Sequence, residues 1–268
     1  MDQTHYRTEK RRTCNTIAKD FDFEMNLPIP QSITEKQVKS NYLALLDRVA
    51  AASKKTSRPP NEVKVVGVTK YVDVNLTQFL VNAGCQDLAE SRPQALWEKS
   101  ATLASNSIHW HLIGHLQRNK AKRTIPILNT IHSLDSLRIL QQIESDLAER
   151  ESPLRLLLEV NVAGEENKTG MTIHDAELLL ANWVERESKP KNLEISGLMA
   201  MGSLSGIPDT TRREFSKLRE LRNAWNSRFG LPLNELSMGM SDDFEIAIEE
   251  GSTMIRIGSL LFTSSADE

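Results

Sequence analysis

The stretch ELSMGMSDDFEIAIEEGSTMIRIGS, residues 235–259, decides the fold. It opens on a short apolar run, Glu235–Ser237, passes through a glycine-containing loop and enters a helical pattern over Asp243–Glu250. A second apolar run follows, Met254–Ile257, closed by Gly258 and Ser259. Two short strands joined through a helix make a parallel unit, because the crossover returns the chain to the starting end of the sheet. The same alternation recurs upstream. Apolar runs lie at Val63–Thr69, Asp87–Glu90, Ile108–Ile113, Thr130–Ser133, Leu154–Val162 and Leu193–Met199. Helical patterns occupy Asn75–Ala83, Leu137–Arg150, His174–Arg186 and Arg212–Arg228. Eight strands with helices between them predict an α/β chain closed as a (β/α)8 TIM barrel. An open doubly wound sheet is the competing architecture, but neither GxGxxG nor GxxxxGK[ST] follows the first strand.

A barrel of this kind needs about 250 residues, and the chain has 268. Residues 1–31 lack periodicity and end in Leu27-Pro28-Ile29-Pro30, which reads as a flexible arm. Ser32 and Glu35 fit a capping box. Behind it Val38, Tyr42, Leu45, Leu46, Val49 and Ala50 share one helical face, so an extra N-terminal helix is expected to about residue 54. Residues 32–268 are therefore expected to form a single domain. A charged fraction of 26% with 39% apolar residues excludes wholesale disorder, and a net charge of -3 gives no basis for a nucleic-acid surface. Cys14 and Cys85 are too few for a disulfide framework or a cysteine-built zinc site. No apolar run is long enough for a membrane span, and the first residues lack a signal-peptide core. A soluble, cytoplasmic protein is expected.

Barrel chemistry sits at the C-terminal strand ends. That rule selects Lys70, Glu90, Ser91, Gly114, Asp135, Asn161, Met201, the Ser237–Asp243 loop and Arg256–Ser259. Lys70 either turns inward, where burial would lower its pKa and supply a nucleophilic amine for a Schiff base, or snorkels to solvent. In the loop, Gly239 permits close backbone approach, Ser237 and Ser241 offer hydroxyls, and the helix start offers N–H groups for a phosphate. Gly258 and Ser259 could complete that cradle. The alternative is that Ser241 only caps the helix, and a phosphate would need Asp242 and Asp243 to turn outward. Arg256 faces opposite to Ile255 and Ile257, either into the barrel or outside in a salt bridge. His109 and His111 share a strand face with His115 just beyond, which suggests a metal-dependent hydrolase as an alternative. The pair falls in the first half of its strand, away from the active end, so no metal site is assigned. Gly164–Gly170 is only superficially a phosphate loop, because Lys168 does not directly follow the required glycine and the segment follows the fifth strand and not the first, and it is expected to be an active-site loop. The basic run Gln117–Arg123 is expected to be a solvated helix face.

Several stretches match a known family. They are VVGVTK at 65–70, HWHLIGHLQRNK at 109–120, SLDS at 133–136, LEVNVAGEENKTG at 158–170, ISGLMAM at 195–201 and LSMGMSDDFEIAIEEGSTMIRIGSLLF at 236–262. In this order, over about residues 35–263, the chain resembles the pyridoxal 5′-phosphate (PLP) homeostasis proteins, single-domain relatives of the alanine racemase N-terminal barrel. The resemblance implies PLP as cofactor, with Lys70 as the Schiff-base lysine. It implies that Ser237, Met238, Gly239, Met240 and Ser241, with Gly258 and Ser259, hold the phosphate, and that Arg256 faces the pyridine nitrogen. Where the family usually has Gly-Glu-Asn, with the asparagine beside the cofactor, this chain has Ala89-Glu90-Ser91, so Ser91 offers a hydroxyl there.

An arginine can only donate, so Arg256 would leave the pyridine nitrogen unprotonated and the electron sink weak. Racemisation also needs an acid–base group opposite Lys70. The tyrosines are Tyr6 in the arm, Tyr42 on the first helix and Tyr71, which points away from Lys70 if the strand continues, and little chain follows Phe262. The expectation is a monomeric PLP carrier, not an enzyme, that buffers PLP or delivers it to apo PLP-dependent enzymes. A racemase of the alanine racemase type is the alternative.

Overall fold

Short strands buried along nearly their whole length build the sheet of this protein. A computed structural model describes residues 33–104, 107–147, 150, 152–165, 168–202 and 207–264, and the arm expected at 1–31 lies outside them. The strands are β1 (Lys64–Val68), β2 (Asp87–Glu90), β3 (His109–Leu112), β4 (Leu128–Leu134), β5 (Leu154–Glu159), β6 (Leu193–Met199), β7 (Glu235–Ser237) and β8 (Met254–Ile257). They follow one another around a closed barrel in chain order, and β8 pairs parallel with β1 to complete it. The helices are α1 (Glu35–Lys55), α2 (Val74–Asn82), α3 (Pro93–Thr102), α4 (Arg118–Thr124), α5 (Leu137–Asp146), α6 (Ile173–Val184), α7 (Pro208–Phe229) and α8 (Phe244–Glu249). No described helix is long and apolar enough to cross a membrane.

Inside the barrel, Val66, Val68, Ala89, Leu157, Met199 and Met254 form a buried cluster. Each valine, leucine or methionine of it contributes about 1.5–3 kcal/mol on leaving water. On β8 the outward residues Ile255 and Ile257 are also fully buried, under the helices. Strands covered on both faces read as continuous apolar runs, which is why β6, β7 and β8 match their sequence patterns residue for residue. β5 stops at Glu159 and not at Val162. Asn161 ends it by accepting the Gly164 N–H at 2.9 Å and donating to the Glu165 carbonyl at 2.7 Å.

The extra N-terminal helix is present, with its start shifted from the expected Ser32–Glu35 box. Thr34 accepts the Gln37 N–H at 3.3 Å, and the Gln37 side chain accepts the Thr34 N–H at 2.9 Å. This placement leaves Glu35 in the first turn, where the helix dipole favours a negative charge. α1 packs on α2 and α8, and Asn41 ties it to the carbonyls of Leu261 and Thr263 at 3.2 and 3.0 Å.

Candidate functional site

Side chains on a strand alternate between faces, so the interior row can be followed along each strand. Val66 and Val68 carry it to the end of β1, Ala89 lies on it in β2, and Met254 leads to Arg256 on β8. Lys70 and Ser91 follow the ends of β1 and β2 in the chain. A Cβ built on Gly258 would lie 3.4 Å from the Val68 carbonyl, which brings the β8 end against the turn that carries Lys70.

Lys70 is half-buried. Its ammonium lies 4.7 Å from the centre of the Tyr71 ring. Tyr71 was expected to point away if the strand continued. It does not, because β1 ends at Val68 and the chain turns, with the Val72 N–H donating to the Thr69 carbonyl at 3.1 Å. Beneath this turn sits a buried ion pair. Lys99 of α3 donates to Glu90 at 2.5 Å and to the Thr69 carbonyl at 2.6 Å, while the Thr69 hydroxyl donates to Glu90 at 2.5 Å. Glu90 faces the helices and not the pocket, so it holds the backbone next to Lys70.

Arg256 turns into the barrel and is 5% exposed. It donates to the Ser237 hydroxyl at 2.6 Å and to the Ala200 carbonyl at 3.1 Å. Both acceptors lie inside the barrel, so Arg256 faces the interior and not an outer helix.

The loop after β7 departs from the sequence expectation in three ways. Ser237 is fully buried and its hydroxyl lies between Arg256 and His132, so it sits beneath the arginine and not at a phosphate cradle. Met238 is a core residue whose N–H donates to the Met254 carbonyl at 3.1 Å. Ser241 does not cap α8; the cap residue is Asp243. Asp242 is exposed, as a phosphate would require, but Asp243 folds back to accept the Met240 N–H at 2.6 Å. Burial holds the Asp243 carboxyl above its usual range. Gly239 is needed where it stands, with φ +95° and an added Cβ 2.5 Å from that of Ala247.

Below the arginine a line of polar groups crosses the barrel interior. His132 Nδ1 lies 2.8 Å from the Ser237 hydroxyl, and its Nε2 lies 2.8 Å from His111 Nδ1. His111 Nε2 lies 3.0 Å from Asp87 at the start of β2. Burial holds both imidazoles below their usual pKa, most strongly at His132, where the neighbouring His111 and Arg256 add to it. The His109–His111 pair does share a face and both meet Asp87, but the described residues include no group of three or more side chains placed to hold an ion. Asp87, His132 and Lys99 were not singled out from sequence. Extending the inward row along β2 and β4 would have found the first two.

At the rim, His115 pairs with Asp135 at 2.8 Å. The hydrogen bond to Asp135 raises His115 above the ordinary 6.5. Burial pushes the Asp135 carboxyl up, but the bond to His115 and its charge carry it below the usual range. A raised histidine stabilises the fold fully below its unfolded value, and that contribution is lost as pH rises through the folded value. NMR titration should place the His115 midpoint above 6.5 and show it falling toward that value in Asp135→Asn. An unchanged midpoint would disprove the pairing in solution. In the Gly164–Gly170 loop Lys168 pairs with Glu165 at 3.0 Å, and Thr169 donates to Glu159. The basic run forms α4, with Arg118, Asn119, Lys122 and Arg123 exposed and the Arg123 guanidinium 4.0 Å from the Trp97 ring centre.

The pattern of the family described as the alanine racemase N-terminal domain matches residues 41–266. The pyridoxal phosphate homeostasis protein of Aquifex aeolicus is 36% identical over 218 residues, covering 81% of this chain and 94% of its own. Among solved structures, PipY of Synechococcus elongatus, determined with PLP bound, is 29% identical with a TM-score of 0.71, over 81% of this chain and 99% of PipY. A Clostridium difficile alanine racemase superposes with a TM-score of 0.63 at 13% identity, over 87% of this chain and 58% of its own, a likeness of fold alone.

Proposed function

The chain belongs to the pyridoxal phosphate homeostasis proteins, within the alanine racemase N-terminal domain family, and on that premise we propose that it binds PLP through Lys70 and buffers or delivers it. The observation that carries this reading is the pairing of an amine at the β1 end with an interior arginine at the β8 end. Lys70 would hold the aldehyde as a Schiff base, Arg256 would face the ring nitrogen, and Gly239, Ser241, Gly258 and Ser259 would receive the phosphate. The donor set suits such a ligand: one amine, one guanidinium turned into the barrel, and small residues where an anion must approach backbone. When bound, PLP supplies a reactive aldehyde and an electron-withdrawing ring. Arg256 keeps its own proton and could place none on the ring nitrogen, so beside it the ring would draw electrons weakly. That suits holding and release better than sustained catalysis.

By this reading the protein is a carrier, monomeric, and its recipients are apo PLP-dependent enzymes. The racemase alternative would use Tyr71, which lies on the same turn as Lys70 with its ring face toward the ammonium, whereas racemisation needs the second group on the opposite side of the ligand. Incubating the PLP-loaded protein with a panel of amino acids in deuterium oxide separates the two. No exchange of the α-hydrogen at turnover rates is the expected result, together with activation of an apo-enzyme supplied with the loaded protein. Rapid exchange would establish the racemase.

A further inference from the structure

The groups buried below Arg256 exceed what is needed to fill the barrel. Asp87 is the first residue of β2, His111 is mid-strand on β3, His132 lies further along β4, Ser237 ends β7 and Arg256 is on β8. They connect the N-terminal floor of the barrel to its C-terminal mouth. Building on the assignment of Arg256 to PLP, we propose that Asp87, His111, His132 and Ser237 form one directional hydrogen-bonded chain that positions Arg256 as a fixed, charged donor toward the ring nitrogen.

The direction follows from chemistry. A guanidinium has donors only, so the Ser237 oxygen accepts from Arg256 Nη1 at 2.6 Å. The Ser237 proton then goes to His132 Nδ1 at 2.8 Å. His132 therefore carries its proton on Nε2 and donates to His111 Nδ1 at 2.8 Å. His111 in turn carries its proton on Nε2 and donates to Asp87 at 3.0 Å. Each middle group accepts once and donates once, and the line ends on a carboxylate. The opposite direction would leave a bare His111 nitrogen facing that carboxylate, or would require an imidazolium, which burial opposes. Asp87 is also met by Lys64 at 3.2 Å and His109 at 3.4 Å, so its charge is compensated at the floor. These four are positioning residues: they act on the ligand only through Arg256.

The first test uses the full chain labelled with nitrogen-15 in histidine. Long-range proton–nitrogen spectra, assigned through His111→Asn and His132→Asn, should show both rings neutral and protonated on Nε2 at pH 7. An Nδ1–H form of either ring, or an imidazolium, overturns the chain. The second test concerns the ligand. Ser237→Ala, loaded with PLP, should still carry it on Lys70, but with a shifted visible absorption band and retention weakened about tenfold, the size of a lost hydrogen bond to a charged group. Ser237→Thr should restore the wild-type band. A Ser237→Ala protein with wild-type band and retention would overturn the positioning role. If the wild type itself takes up no PLP on Lys70, the proposed function fails, and the histidine spectra still decide whether the chain exists.

Discussion

Replacing Lys70 by alanine should weaken retention of PLP by about 100-fold or more, equivalent to roughly 3 kcal/mol. Measured by dialysis against free PLP, the wild type should keep its visible band while Lys70→Ala loses it. The reason is local. Lys70 lies in the turn just past the β1 end, and that end packs against Gly258 beyond β8. The remaining contacts proposed, from Arg256 and the glycine-containing loops, would be hydrogen bonds and charge, which release a small polar ligand far faster than a covalent link does. The fold should be unaffected, because a half-buried lysine beyond a strand end supports no core packing. Undiminished retention in Lys70→Ala would remove this residue from the site.

Lys99→Met should have the largest effect on stability, a loss of about 3–5 kcal/mol. Lys99 is 5% exposed and Glu90 fully buried, and their contact at 2.5 Å supplies the only cation in the pair. Among the described residues one Glu90 oxygen already has no hydrogen-bond partner, so removing the ammonium leaves a carboxylate supported there by the Thr69 hydroxyl alone. For a domain of this size the melting temperature should fall by roughly 10 °C. A paired change, Glu90→Gln with Lys99→Met, should recover part of the loss, because no uncompensated charge then remains. Lys99 also donates to the Thr69 carbonyl next to Lys70, so the single variant should retain PLP less well than its residual folded fraction alone accounts for. A melting temperature within a degree or two of wild type would contradict the assignment of this pair as a buried support.

What could be read without coordinates follows the range of the interactions involved. Strand identity rests on neighbours in the chain, and β2, β6, β7 and β8 fall where their apolar runs predict. β5 overshoots because a side-chain turn at Asn161 outcompetes two further apolar residues. α3 left no apolar stripe to follow, since one of its three buried positions is Lys99, and its partner Glu90 lies on a strand. At the site, Lys70 and Arg256 were selected by their place at strand ends. Which way Arg256 faces was not decidable, because alternation separates it from Ile255 and Ile257 without saying which side is the interior. The acceptors that settle it, Ser237 and Ala200, lie 19 and 56 residues away. Ser237 was grouped with the phosphate loop for the same reason. Its second contact, His132, is 105 residues distant, and a hydroxyl at a strand end looks alike whether it meets an anion or a buried imidazole. His111 invited a metal reading only while His132 and Asp87, 21 and 24 residues away, were out of view.

The most direct measurement is borohydride reduction of the PLP-loaded full chain, followed by mass analysis of its peptides. Reduction fixes a Schiff base as a stable secondary amine, so the lysine that held the aldehyde keeps a pyridoxyl group through digestion. One pyridoxyl group on the peptide containing Lys70 is the expected result. A Lys70 peptide without it, or label spread over surface lysines such as Lys120 and Lys122, would contradict the assignment of this barrel mouth as the PLP site.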